Sequence, residues 1–110
     1  MNPLLKNYLV DVTHPEVSGL EHLQMLRTRS QLAQIEAGLS AEERAALAEA
    51  DHRLALHAAQ FAAELARFAD LAQERRRLQP RPDEWWWYLD VLAQAPLEPP
   101  RQRQPEPAPA

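Results

Sequence analysis

Apolar residues recur along this chain at helical rather than strand spacing, and the pattern divides it into four segments. Asn2 followed by Pro3 is a cap and first-turn signal, after which Leu4, Leu5, Tyr8, Leu9 and Val12 share one face. Thr13, His14 and Pro15 interrupt that helix. Ser18 and Glu21 have the spacing of a capping box and open a second helix, "GLEHLQMLRTRSQLAQIEA", which Gly38 closes. Ser40 and Glu43 repeat the spacing two residues later. The stretch they open, "AEERAALAEADHRLALHAAQFAAELARFADLAQERRRLQ", holds neither glycine nor proline and predicts one continuous helix.

A connection as short as "GLS" favours antiparallel packing of its two helices. Met25, Leu32 and Leu39 recur every seven residues with Ile35 between them, as do Leu47, Leu54, Phe61 and Phe68 with Ala58, Leu65 and Leu71 beside them. That is the seam of a helical hairpin, with coiled-coil-like periodicity. At about 1.5 Å per residue the longer helix would reach about 60 Å, nearly twice its partner. Its far half needs another cover.

The segment "QPRPD" breaks that helix, and Pro82 suits the first turn of a new one, "PDEWWWYLDVLAQA". At 100° per residue, Trp85, Tyr88, Leu89 and Leu92 form a stripe able to fold back onto Phe61, Leu65, Phe68 and Leu71. Trp87 lies about 160° from Trp85, beside Val91, and Trp86 points to a third side. The fold expected is therefore all-α: a short N-terminal helix, an antiparallel hairpin and a Trp-rich C-terminal helix. These make one domain over residues 1–95. A disordered tail follows over residues 96–110, "PLEPPRQRQPEPAPA", which is too rich in proline and too poor in large apolar residues to offset its ordering entropy.

The adjacent tryptophans carry the functional question. Each aromatic offers about 150–250 Å² for burial, and one stripe of core cannot take all three. Trp85 is expected inside. Trp86 and Trp87 either wedge between the N-terminal helix and the hairpin or form, with Asp90 and Val91, an exposed patch that a partner covers.

Composition narrows the alternatives. A chain of 110 residues is one domain at most, and its alanine-rich apolar share makes a thin core. The absence of cysteine removes disulfides, thiolate metal sites and a cysteine nucleophile, and fits a cytoplasmic location. No apolar run is long enough to span a membrane, the start of the chain is too weakly basic for a signal peptide, and the acids framing the tryptophans suit no anionic lipid surface. The net charge of −4 argues against a general nucleic-acid binder. Its distribution is uneven, however. Arg75, Arg76, Arg77 and Arg81 form a basic joint between an acidic segment and the acidic aromatic one, and are the residues an anion or nucleic acid would contact.

Catalytic constellations are sparse. Glu49 and His52 have the Glu-x-x-His spacing of di-iron bundles, which need two such pairs, and this chain has one. A single metal site built from His22, His52 and His57 is the weaker alternative. Ser18 and Ser40 are helix caps, and two glycines are too few for a phosphate-cradling loop. The reading is a non-catalytic protein–protein interaction module, such as an adaptor, an inhibitor or an antitoxin-like subunit. It needs no cofactor, docks a protein partner, basic in character, through "DEWWWYLDVL", and has a homodimer as its alternative assembly. The second reading is a nucleic-acid-associated helical protein using the arginine joint, with Arg27 and Arg29 joining it in one continuous basic surface.

Overall fold

The computed structural model describes residues 1–94. Among them it is built from helices alone: α1 (Pro3–Asp11), α2 (Gly19–Ile35), α3 (Ala41–Leu56), α4 (Ala58–Ala66), α5 (Leu71–Leu78) and α6 (Leu89–Leu92). Two 3-10 helices, Glu36–Gly38 and Trp85–Tyr88, complete the set. The all-α architecture expected from periodicity is present, with a short N-terminal helix and a reversal between α2 and α3. The expected tail falls on residues outside the described ones.

Capping explains the starts. The Asn2 side chain accepts from the backbone N–H of Leu4 at 2.8 Å and of Leu5 at 3.3 Å, satisfying donors that a helix start leaves orphaned. Ser40 and Glu43 form the capping box their spacing predicts. One Glu43 oxygen takes the Ser40 N–H at 3.0 Å while the other takes the Asn2 N–H at 2.9 Å. A single carboxylate thus ties the start of α1 to the start of α3, and these backbone donors hold it below the usual glutamate range. At Ser18 only the hydroxyl half of the cap is made, accepting from Leu20 N–H.

The long helix is corrected. The glycine- and proline-free stretch from Ala41 to Gln79 forms three helices, not one. His57 leaves helical geometry (φ −104°, ψ 24°) between α3 and α4, and Asp70 (φ −109°, ψ 106°) starts α5 by accepting from the N–H groups of Ala72 and Gln73. Helix propensity favours continuity, but a straight rod would leave its far half in water. Bending lets α3 lie on α1 while α4 turns against α2 and α6, and packing outweighs propensity in deciding helix extent. The predicted seam residues mostly stay in the core, although α2 packs chiefly on α1 and α4 rather than along α3. Met25, Leu32, Leu39, Leu47, Leu54, Ala58, Phe61, Leu65 and Leu71 are buried as expected, whereas Ile35 and Phe68 are exposed at the helix ends.

The α2–α4 contact is close because of one residue. A Cβ on Gly19 would fall 2.3 Å from the carbonyl oxygen of Glu64 and 3.0 Å from Leu65 Cα, both backbone atoms that cannot swing away. Gly38, assigned by its spacing to close α2, has open space around it. Gly19→Ala is therefore expected to lower stability by about 1–3 kcal/mol through overpacking, while Gly38→Ala is expected to cost nothing measurable. Urea unfolding monitored by circular dichroism checks both.

Candidate docking site

The tryptophan segment does not form the α-helix expected of it. Trp85–Tyr88 is a 3-10 helix and only Leu89–Leu92 is α-helical. At three residues per turn, positions three apart eclipse one another, so Trp86 stands over Leu89 and Trp85 over Tyr88. Leu89 is buried as expected, but Trp85 and Tyr88 of the same stripe are not, and Trp86 and Trp87 take the core arrangement of the two open to them. Trp86 and Trp87 are each 2% exposed, whereas Trp85 is only half-buried and Tyr88 is open.

Two consecutive polar residues of α2 hold the segment there. The Ser30 hydroxyl accepts from the indole N–H of Trp86 at 3.0 Å and of Trp87 at 2.9 Å, and donates to Glu84 at 2.8 Å. One donor and two lone pairs are all that a hydroxyl has, and all are used. The other Glu84 oxygen takes the backbone N–H of Arg81. Beside Ser30, Arg29 is 4% exposed and its guanidinium carbon lies 4.2 Å from the centre of the Trp86 ring. Its Nε and Nη2 each donate to Asp51 of α3 at 2.9 Å, a bidentate pair, and Nη2 also reaches Glu36 at 3.4 Å. The Tyr8 hydroxyl of α1 donates to the same Asp51 at 2.7 Å. Burial, and then the Asp51 charge, push the Tyr8 hydroxyl well above its ordinary range, so it stays a donor. Burial alone would lower the Arg29 pKa, but the hydrogen bonds and charge of Asp51 outweigh it. One nitrogen, Arg29 Nη1, is buried without a partner.

A second arginine clamps the end of the segment. Arg75 of α5 donates to the Trp87 carbonyl at 2.8 Å and to both Asp90 oxygens at 2.7 and 3.2 Å, while lying 4.5 Å over the Tyr88 ring. These contacts reassign several expected site residues. Trp86 and Trp87 are core and Asp90 is bound internally. Of the four residues expected to meet a partner, only Val91 is open, at 53%. The acids expected to greet a basic partner are likewise engaged: Asp83 with Arg81, Glu84 with Ser30, and Asp90 with Arg75.

The arginine joint is dispersed in the same way. Arg75 is turned to Asp90, Arg77 pairs with Glu74 and Arg81 with Asp83; Arg76 alone of the four lacks an ion pair among the described residues. Arg29, which a continuous basic face would need, is buried. The histidines also part company. His22 is 1% exposed, its Nε2 donates to the Pro15 carbonyl at 3.1 Å, and its ring meets Phe61 edge-on at 4.6 Å. His52 and His57 are exposed elsewhere. Among the described residues, no group of three or more histidine or carboxylate side chains is placed to hold a metal ion.

What the packing creates instead is a groove. Ala48, Asp51, His52 and Ala55 of α3 form one wall, and Trp85 with Leu92 forms the other, around about 350 Å³. Trp85 stands edge-on to Trp86 at 5.7 Å, so the buried ring supports the half-exposed one. The Asp51 charge at its edge is already matched by Arg29. An apolar side chain is what most of such a groove accepts, since apart from the exposed imidazole of His52 and the paired Asp51 its lining offers methyl groups and an indole face. Sequence reasoning missed these residues because it assumed 100° per residue at Trp85. The signal for their support was present. Arg29 lies four residues after Met25 and three before Leu32, and Asp51 lies likewise between Leu47 and Leu54, so each charge occupies a core position facing the other.

The Asp90 clamp has a pH signature. Burial would raise the Asp90 carboxyl, but hydrogen bonds and charge from Arg75, with backbone donors, hold it below the ordinary aspartate range. A carboxyl depressed in the folded state stabilises fully above its unfolded pKa, and the contribution disappears as pH falls through the folded value. Asp90→Asn is therefore expected to lower the urea midpoint at pH 7 and to leave it nearly unchanged near pH 2. A gap of equal size at both pH values would rule the clamp out. Compared with protein-family models, with curated proteins and with solved structures, the chain matches none.

Proposed function

We propose that this protein is a non-catalytic interaction module that docks a partner chain along the groove between α3 and the Trp85–Leu92 wall. The observation that supports the reading is the half-buried Trp85: an indole held upright by Trp86, with Leu92 on the same wall, facing Ala48 and Ala55 across an open apolar channel. Large aromatics anchored at one edge and open at the other are what interface hot spots are made of. The surface is shifted from Trp86 and Trp87 to Trp85, with Tyr88 and Val91 exposed nearby on the same segment. Docking by Trp86 or Trp87 is not part of the proposal. Both indoles are committed to Ser30, and truncating either removes core.

A photo-crosslinking residue at His52, in the groove but outside the packing network, tests this in the native host. The module reading expects one dominant crosslinked protein species. Trp85→Ala is expected to reduce that product at least tenfold, in proportion to the about 1.4 kcal/mol or more lost with a hot-spot aromatic, while the same probe at exposed Gln24 captures little. Equal capture at both positions, or capture indifferent to Trp85→Ala, would contradict the reading.

A further inference from the structure

We propose that the partner in the groove is a second copy of this chain, docked antiparallel on the exposed face of α3. This rests on the reading of the groove as a docking surface and gives that surface an occupant. α3 packs on α1 and turns its opposite side outward. Ala41, Ala45, Ala48 and His52 are exposed there, with Ala55 at the floor of the groove. Their spacing of four, three, four and three residues keeps them within about 80° of one another on the helix, and alanine side chains let a second helix approach to the near end of the about 8–10 Å range.

Charge selects the occupant and its direction. Glu42 and Arg53 lie about 20° apart on one flank of the alanine stripe, eleven residues from each other. Both are exposed, and neither has an ion-pair partner among the described residues. A two-fold axis passing beside α3 at the level of Leu47 and Ala48 sets position 42 of one copy opposite position 53 of the other. Glu42 of each copy then faces Arg53 of the other, giving two ion pairs, while Ala48 meets its counterpart near the axis and Ala45 packs between Ala48 and His52 of the other copy. Parallel pairing would put the two Glu42–Arg53 flanks on opposite sides of the interface, where Glu42 of one copy does not meet Arg53 of the other. Because the interface is isologous, the Trp85–Leu92 wall, on the other flank of the stripe, faces the same wall of the second copy and closes the groove. Leu56, 45% exposed and three residues beyond Arg53, is covered in the same step.

Light scattering behind size exclusion, with the full chain loaded at about 0.5 mM so that even a sub-millimolar dimer is populated, is the test. The expected mass is twice 12.6 kDa. Glu42→Arg and Arg53→Glu are each expected to weaken association at least tenfold, the double swap Glu42→Arg/Arg53→Glu to restore it, and Ala48→Glu to abolish it, with thermal melts confirming that each variant folds. A monomer at that concentration overturns the proposal, as does a dimer that all four variants leave unchanged or that the double swap fails to rescue. A monomer that still crosslinks another protein through His52 would remove self-association alone and leave the docking reading standing. Loss of both would remove the docking reading as well.

Discussion

The buried guanidinium of Arg29 is the constraint on which the rest of the arrangement depends. It bonds Asp51 on α3 through two nitrogens, reaches Glu36 at the end of α2, shares Asp51 with Tyr8 of α1 and supports the ring of Trp86. Four separate pieces of chain meet at one side chain that is 4% exposed. An arginine is the residue type suited to this, because its planar fork satisfies a carboxylate with two parallel bonds and its flat face lies against an aromatic ring. A lysine could supply the charge but neither the second bond nor the plane. Burying an ion is expensive, and removing one partner leaves the other uncompensated. The arrangement is thus an all-or-none device: with every member in place it fixes the register of α1, α2, α3 and the tryptophan segment, and with one missing it opposes folding.

The groove follows from that constraint. Arg29 holds Trp86, and Ser30 holds Trp86 and Trp87, so the 3-10 turn cannot rotate to bury Trp85 in their place. Trp85 is left standing against α3 with Ala48 and Ala55 opposite. Arg75 fixes the other end of the segment through Asp90 and the Trp87 carbonyl. Two arginines from different helices, each pairing with an acid and lying over an aromatic ring, pin a stretch of only a few residues. This is how a small chain whose core is built mostly of leucine holds three adjacent tryptophans in defined places.

Much of the fold was legible from residue spacing. The Asn2 and Ser40 caps, the seven-residue recurrence of Met25, Leu32 and Leu39, and the break at Pro80 and Pro82 all report local chemistry, which spacing encodes directly. The bend at His57 and the stop before Asp70 were not legible. Nothing local forces the first, and only the Asp70 cap marks the second; both come from the need of α3 and α4 to lie on different neighbours, helped by the missing side chain at Gly19. The tryptophans were misplaced for a related reason. An angle of 100° per residue was carried into a segment wound at three residues per turn, and the hydrogen-bonding capacity of Ser30, 54 residues before its partner Glu84, has no trace in local pattern. Arg29 and Asp51 at core positions were the visible clue that a charge was being buried on purpose.

Arg29→Met asks whether Arg29 ties the helices to the tryptophan segment, because methionine fills similar volume without the charge. The stability of the domain and the indole N–H resonance of Trp86 should be followed together. Loss of about 3–5 kcal/mol in urea unfolding, with a shifted and less protected Trp86 indole, is the result predicted. An unchanged or raised midpoint with the Trp86 resonance in place would show that packing alone positions the segment, and would contradict the account.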